Sequence, residues 1–381
     1  MFEKAKKLFA GSYIPLNRID ISKENLASNL KYLNSINSSI KITPVLKSNA
    51  YGHGLVLVAK ALDDLNCPMF CVDSIYEAYE LLKAKVKTPI LIMGYINPEN
   101  LKVKKLPFSY AVYDTNLLEA INTYQKGAQI HLKIDTGMHR LGIQLKDLPD
   151  FIKTARQMEN IKITGIMSHL ASGDDPNDSL TKQQLTDFKK SAEIAKSFNI
   201  NPTWKHIAAS DGLLNIDKAR LAEVSNLARV GLAMYGISDS KRTGKLKPVL
   251  NLTSQIVQIK TLEKDDKVGY SGTFIARNKM LIGILPIGYN DGVDRRLSNR
   301  GTVTVKNKQC SIIGRVSMNI TAIDLTSVPD TKAGDKVVVY SKNSDDPNSI
   351  ANSAKTCETI PYELLVHLSP TSIRRQLEPI V

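Results

Sequence analysis

From about residue 40 to residue 236, short runs of apolar and β-branched residues alternate with stretches whose apolar positions recur every three or four residues, the spacing of one helical face. Strands are predicted at 41–47, 68–73, 89–95, 108–114, 129–135, 161–169, 201–208 and 227–236, with helices between them at 55–65, 75–85, 116–125 and 180–198. Alternating β and α units imply a parallel sheet with right-handed crossovers, and eight such units suggest closure into a barrel. A strand at 14–21 and a helix at 22–37 precede them.

After residue 243 the pattern changes to short, β-branched segments punctuated by Gly, Asn and Asp, at 249–262, 280–287, 301–305, 309–315, 321–325 and 336–341. Residues 303–313, with Lys306, Asn307 and Lys308 at their middle, read as a hairpin. The chain is therefore expected to be α/β, a (β/α)8 barrel of the TIM type over residues 12–242 followed by a mostly β domain over 243–381. Residues 1–11 are expected to pack with the second domain, and the polar, basic stretch 238–247 to link the two.

The length of 381 residues fits two or three domains, and 43% hydrophobic with 23% charged residues excludes a disordered or low-complexity chain. The net charge of +14 raises the question of nucleic acid. Lys and Arg are scattered without a recognisable motif, so no nucleic-acid partner is expected and small anionic ligands are. Four cysteines make no disulfide framework and point to a reducing cytoplasm. Residues 1–13 have no apolar stretch long enough for a signal peptide, and no run approaches the roughly 20 apolar residues of a membrane span.

The most informative segment is 44–54, PVLKSNAYGHG. Lys47 closes an apolar strand, so in a barrel it would stand at the C-terminal face where active sites assemble, and partial dehydration there favours Schiff-base chemistry. This segment resembles the pyridoxal phosphate (PLP) lysine motif of the alanine racemases. Further matches follow in the same order: HLKIDTGMHRLG at 131–142, SH at 168–169, RVGLAMYG at 229–236, VGYSGT at 268–273, PIGYNDG at 286–292, GRVSMN at 314–319 and PYE at 361–363.

The resemblance implies a PLP-dependent enzyme, an isomerase interconverting L- and D-alanine and supplying D-alanine for peptidoglycan. It makes Lys47 the residue that carries PLP, and Tyr51, Ser210, the backbone at Gly231 and Leu232, and Tyr362 the holders of its phosphate. Arg229 would face the pyridine nitrogen; an arginine can only donate there, which leaves that nitrogen unprotonated. Lys47 and Tyr270 would be the two bases on opposite faces of the substrate. A free tyrosine has a pKa of about 10, so Tyr270 would need the cationic relay offered by His169 and Arg229.

By the same resemblance Tyr270 comes from a partner subunit, giving a homodimer with shared active sites. Arg140 would orient the substrate beside Lys133, whose charge would be reversed by carbamylation. Met318, again the partner's, would meet the substrate carboxylate. Tyr289, Tyr362, Asp174, Arg295 and Arg315 would line the entry, and its tyrosines favour a small side chain. Three residues depart from the family pattern: Ser48 for alanine after the lysine, Ala209 for asparagine or serine before Ser210, and Asn319 for aspartate after Met318. They bear on substrate breadth and rate. A racemase of broader specificity, a barrel decarboxylase and a non-catalytic PLP-binding protein are the competing readings; Arg229 speaks against the second, Tyr270 and the second domain against the third.

Overall fold

The computed structural model describes residues 14–238, 240 and 244–378. The chain divides into two compact units, Ser22–Val249 and a second that joins the strand Arg18–Ile21 to the residues from Leu250 onward.

In the first unit all eight expected strands form: β1 (Lys41–Pro44), β2 (Phe70–Val72), β3 (Ile90–Ile92), β4 (Ser109–Val112), β5 (Ala128–Asp135), β6 (Ile161–Met167), β7 (Trp204–His206) and β8 (Leu227–Val230). Parallel pairing runs without a break from β2 through β7. The ring closes in three further steps. Strand β8 pairs β1 in parallel, Val45 bridges to Cys71, and the amides of Asn226 and Arg229 donate to the carbonyls of Lys205 and Ala208 at 2.9 and 3.0 Å. A closed parallel barrel has no exposed edge, which is why its strands can be short and mostly buried.

The helices begin where the sequence supplies caps. Ser22 opens α1 (Lys23–Ile36), Ser74 opens α2 (Ile75–Lys83), Asp114 opens α3 (Thr115–Tyr124) and Asp178 opens α4 (Ser179–Ser197), each side chain accepting a first-turn amide.

The second unit is built on a nine-stranded sheet. The expected strand 249–262 is two strands, Leu250–Gln255 and Gln258–Leu262, because the chain changes partners at Ile256: the first half pairs Lys336–Tyr340, the second Met280–Leu285. The hairpin expected at 303–313 is present, with Lys306 and Asn307 at φ 47° and 63°, the left-handed pair that matches strand twist in a two-residue loop.

One assignment needs correction. Strand Arg18–Ile21 pairs antiparallel with Leu250–Gln255 and parallel with Arg374–Leu377, so it belongs to the second unit's sheet rather than to the barrel. The two units accordingly meet at 21/22 and 249/250 instead of 242/243. The expected packing of residues 1–11 lies outside the described residues, as does part of the expected linker.

Candidate active site

Lys47 stands at the C-terminal mouth of the barrel. The ladder continues beyond β1, with the Val45 amide donating to the Val230 carbonyl at 2.9 Å and the Leu46 amide to the Cys71 carbonyl at 2.8 Å, so the lysine leaves the wall between β8 and β2. The next four residues, Ser48, Asn49, Ala50 and Tyr51, all have φ between 51° and 56°, a turn of left-handed helix. Such a conformation costs roughly 1–2 kcal/mol per non-glycine residue. It is held from several sides: Asn49 Oδ1 accepts the Leu55 amide at 2.8 Å, the Asn49 amide donates to Glu77 Oε1 at 3.3 Å, and His53 Nδ1 donates to the carbonyls of Ala50 and Tyr51 at 3.0 and 2.9 Å.

This turn folds Tyr51 back against β8. A side-chain carbon added to Gly231 would fall 2.4 Å from Tyr51 Oη, so only glycine lets that hydroxyl rest on the backbone where Gly231 and Leu232 begin a one-turn helix. Ser210, buried, opens the helix Ser210–Asn215 and its Oγ accepts the Ala233 amide at 3.3 Å. Two hydroxyls and a glycine turn thus converge, a neutral donor set suited to a phosphate. Ala209 caps the same helix without a side-chain hydrogen bond.

Arg229 lies inside the barrel, 4% exposed. Its Nη1 donates to His206 Nδ1 and to the His206 carbonyl at 2.7 and 2.9 Å, and its Nη2 to the Ser168 carbonyl and His169 Nδ1 at 2.6 and 3.2 Å. A guanidinium carries five N–H groups, and among the described residues the Nε–H has no acceptor. Both histidines must accept from Arg229 and are therefore neutral. Burial first, then the arginine's charge, pushes the His169 pKa down to about 3 and that of His206 well below its ordinary value.

Lys133, half-buried at the end of β5, donates to the Met93 carbonyl at 3.3 Å and lies 5.6 Å from the Tyr113 ring. Burial, then Arg229 and Arg140, lower its pKa to about 8, against a small opposing pull from Asp73; Lys47 adds to the lowering. Arg140, on the loop after β5, is exposed, yet with Lys47 and Lys133 it also depresses His169. Lys47, Lys133, Arg140, His169 and Arg229 are therefore gathered at one mouth of the barrel.

The remaining expected residues lie in the second unit. Tyr270 is 71% exposed, Met318 55% and Tyr289 42%, while Tyr362 is half-buried in the helix Pro361–Val366. Tyr289 and Met318 are neighbours, the Tyr289 amide donating to the Ser317 carbonyl at 3.0 Å. The turn bearing Tyr270 lies on the Arg315 backbone, which a side-chain carbon on Gly269 would approach to 3.3 Å.

Sequence reasoning gave no role to His131 or His206. His206 Nε2 lies 2.8 Å from His131 Nδ1, and both rings are buried. The available signal was a histidine within each of two barrel strands. Among the described residues no acidic or His/Cys cluster could hold a metal, and no helix is long and apolar enough to cross a membrane.

Comparison with known proteins agrees with this architecture. A sequence model described as alanine racemase, N-terminal domain, matches residues 21–239, and one described as alanine racemase, C-terminal domain, matches 249–376. The alanine racemase of Sorangium cellulosum (strain So ce56) is 34% identical over 380 residues, covering 95% of this chain and 99% of that protein. That of Halothermothrix orenii is 32% identical, covering 88% of this chain and 89% of that one. Among solved structures, alanine racemase from D-cycloserine-producing Streptomyces lavendulae superposes with a TM-score of 0.87 at 26% identity, covering 97% of this chain and 99% of the other. That of Bacillus anthracis with bound L-Ala-P gives 0.86 at 27% identity, covering 97% and 96%. With both domains matched in order along nearly the whole chain, the protein belongs to the alanine racemase family of isomerases.

Proposed function

We propose that the protein interconverts L-alanine and D-alanine with PLP as cofactor, using Lys47 and Tyr270 as its two bases. The observation that carries this reading is the saturation of Arg229: with four N–H groups bound inside the protein, the Nε–H remains as the donor for a ring nitrogen. The hydroxyls of Tyr51 and Ser210 and the backbone at Gly231 and Leu232 would hold the phosphate, and Lys47, four residues before Tyr51 at the same barrel mouth, would carry the cofactor, so the residues present suit it. Bound there, PLP supplies an electron sink that acidifies the Cα–H of an attached amino acid.

The chain's own residues do the rest. Lys47 Nζ takes the Cα proton from D-alanine on one face and returns one to make it. Tyr270 Oη, supplied by the partner chain of a homodimer, serves L-alanine on the other face. His169 accepts from Arg229 on Nδ1 and so carries its proton on Nε2, where it can donate to a phenolate. Arg229 would hold the ring nitrogen of PLP by donating to it; because a guanidinium gives up no proton, it would leave that nitrogen unprotonated and so temper the electron sink the cofactor supplies, which favours racemisation over side reactions. Tyr362 completes the phosphate set, and Arg140 and the partner's Met318 orient the substrate carboxylate, with Tyr289 narrowing the entry.

Lys133 would be carbamylated, its neutral amine attacking CO₂ to give a carbamate and one released proton. Its lowered pKa supplies that amine near neutrality, and the anion formed would pair with Arg140. Incorporation of ¹³C-bicarbonate into a carbamate resonance that vanishes in Lys133→Ala is the expected result. The cytoplasm is the site of action we infer, in keeping with four unpaired, buried cysteines, and supply of D-alanine to peptidoglycan is the role. The deciding assay offers L-alanine, L-serine and L-lysine separately to the purified enzyme with PLP and follows optical rotation. Racemisation of alanine, fastest of the three, is expected; none with any would overturn the reading.

A further inference from the structure

His131 lies on β5 and His206 on β7, and between them runs β6. In the barrel's register His131 is opposite Gly165 of β6, and a side-chain carbon on Gly165 would fall 2.4 Å from Cγ and Nδ1 of the His131 ring. The ring therefore crosses a whole strand over a glycine to reach His206, 2.8 Å away. A glycine within a strand weakens it and commonly marks such a close approach. The rings meet edge to face, 5.0 Å between centroids, so the contact is a hydrogen bond rather than a stack.

The direction of each bond in this chain follows from chemistry alone. Arg229 can only donate, so His206 Nδ1 accepts and its proton sits on Nε2. That Nε2–H needs an acceptor, which is His131 Nδ1. Were the His131 tautomer reversed, two N–H groups would face each other, and His206 would be driven toward the form that presents an N–H to the guanidinium. We propose that His131 is a positioning residue of the racemase: by accepting from His206 Nε2 it locks the tautomer Arg229 requires, and so aims the Arg229 Nε–H. This rests on the function proposed above. Gly165 is the position that makes it sterically possible.

The chain's six histidines make the test tractable by selective ¹⁵N labelling. In the native enzyme near neutrality, His131 and His206 are both expected to be neutral with the proton on Nε2; an Nδ1–H or a protonated ring at either position would overturn the proposal whatever the activity. His131→Leu, which removes the acceptor but fills the space, is expected to lower kcat about tenfold or more with little change in KM and to leave His206 as mixed tautomers. His131→Asn, whose Oδ1 can stand in for Nδ1, should recover most of that loss. Gly165→Ala, pushing the ring away, should resemble the leucine variant and carries the test if that variant does not fold. Equal losses in the leucine and asparagine variants, or native kcat in both leucine and Gly165→Ala variants, would reduce His131 to packing. Failure of the function itself appears separately, as a native enzyme that does not racemise alanine.

Discussion

Arg229 and Tyr270 are both expected to act in one site, yet they live under opposite conditions. Arg229 is 4% exposed and donates to five acceptors, two on His206 at the end of β7, one on Ile207 just beyond it, and two on Ser168 and His169 just after β6. Tyr270 is 71% exposed on a short turn of the second unit, and its hydroxyl has no hydrogen bond among the described residues. The barrel residues of the proposed site are thus fixed by one chain's own folding. On the proposed reading the other half is displayed, with Tyr289 and Met318 similarly open, for a partner copy to complete. A group preorganised by burial acts through a fixed field, whereas a displayed one becomes catalytic only on assembly.

Substitutions should separate the two halves. Lys47→Ala is expected to abolish racemisation, by roughly 10⁴-fold or more, together with the covalent cofactor absorbance, since it removes both the attachment point and one base. Retained cofactor colour and measurable turnover in that variant would remove Lys47 from the mechanism. Tyr270→Phe should lower turnover by about 10²–10⁴-fold, more severely from the L substrate, while shifting stability by less than about 0.5 kcal/mol because so little of the side chain is buried. Arg229→Leu should cost activity as well, but with about 2–4 kcal/mol of stability, since buried acceptors on His206, Ser168 and His169 lose their donor. Urea melts of the two variants side by side test this contrast; equal stability losses would erase it.

A smaller effect follows from pH. His131 and His169 have pKa values pushed down to about 3, and His206 is also depressed, each mainly by burial and then by Arg229. Below about 6.5 the unfolded chain binds protons these rings refuse, so stability falls as pH falls, by up to ~1.4 kcal/mol per pH unit for each ring. The urea midpoint should drop between pH 7.5 and 5.5, and the drop should lessen in a His206→Gln variant. An unchanged slope in that variant would mean His206 is already charged in the fold.

Much of this was legible in the sequence. Eight short strand-like runs separated by helical periodicity define the barrel because each strand pairs with the next in sequence, so local pattern suffices. Strand Arg18–Ile21 was misplaced because its partners begin at Leu250 and Arg374, and nothing local announces so distant a pairing. The left-handed turn after Lys47 was likewise hidden: Asn49 tolerates that conformation, but Ser48, Ala50 and Tyr51 do not favour it, and it is held by hydrogen bonds involving Glu77, Leu55 and His53 that the fold brings to it. Lys47 and Arg229 could be singled out as charged residues closing or interrupting apolar strands. The His131 to His206 contact could not, since 75 residues separate the two and barrel register alone brings them together.

The central claim, a site completed by two chains, has a direct measurement. Lys47→Ala and Tyr270→Phe proteins, each nearly inactive, are mixed in equal amounts under mild dissociating conditions and allowed to reassociate. If Tyr270 serves the partner's Lys47, half of the dimers are mixed and each carries one intact site, so activity should recover to about a quarter of native. Mixing that restores nothing, although exchange of subunits is verified by mass, would contradict the account.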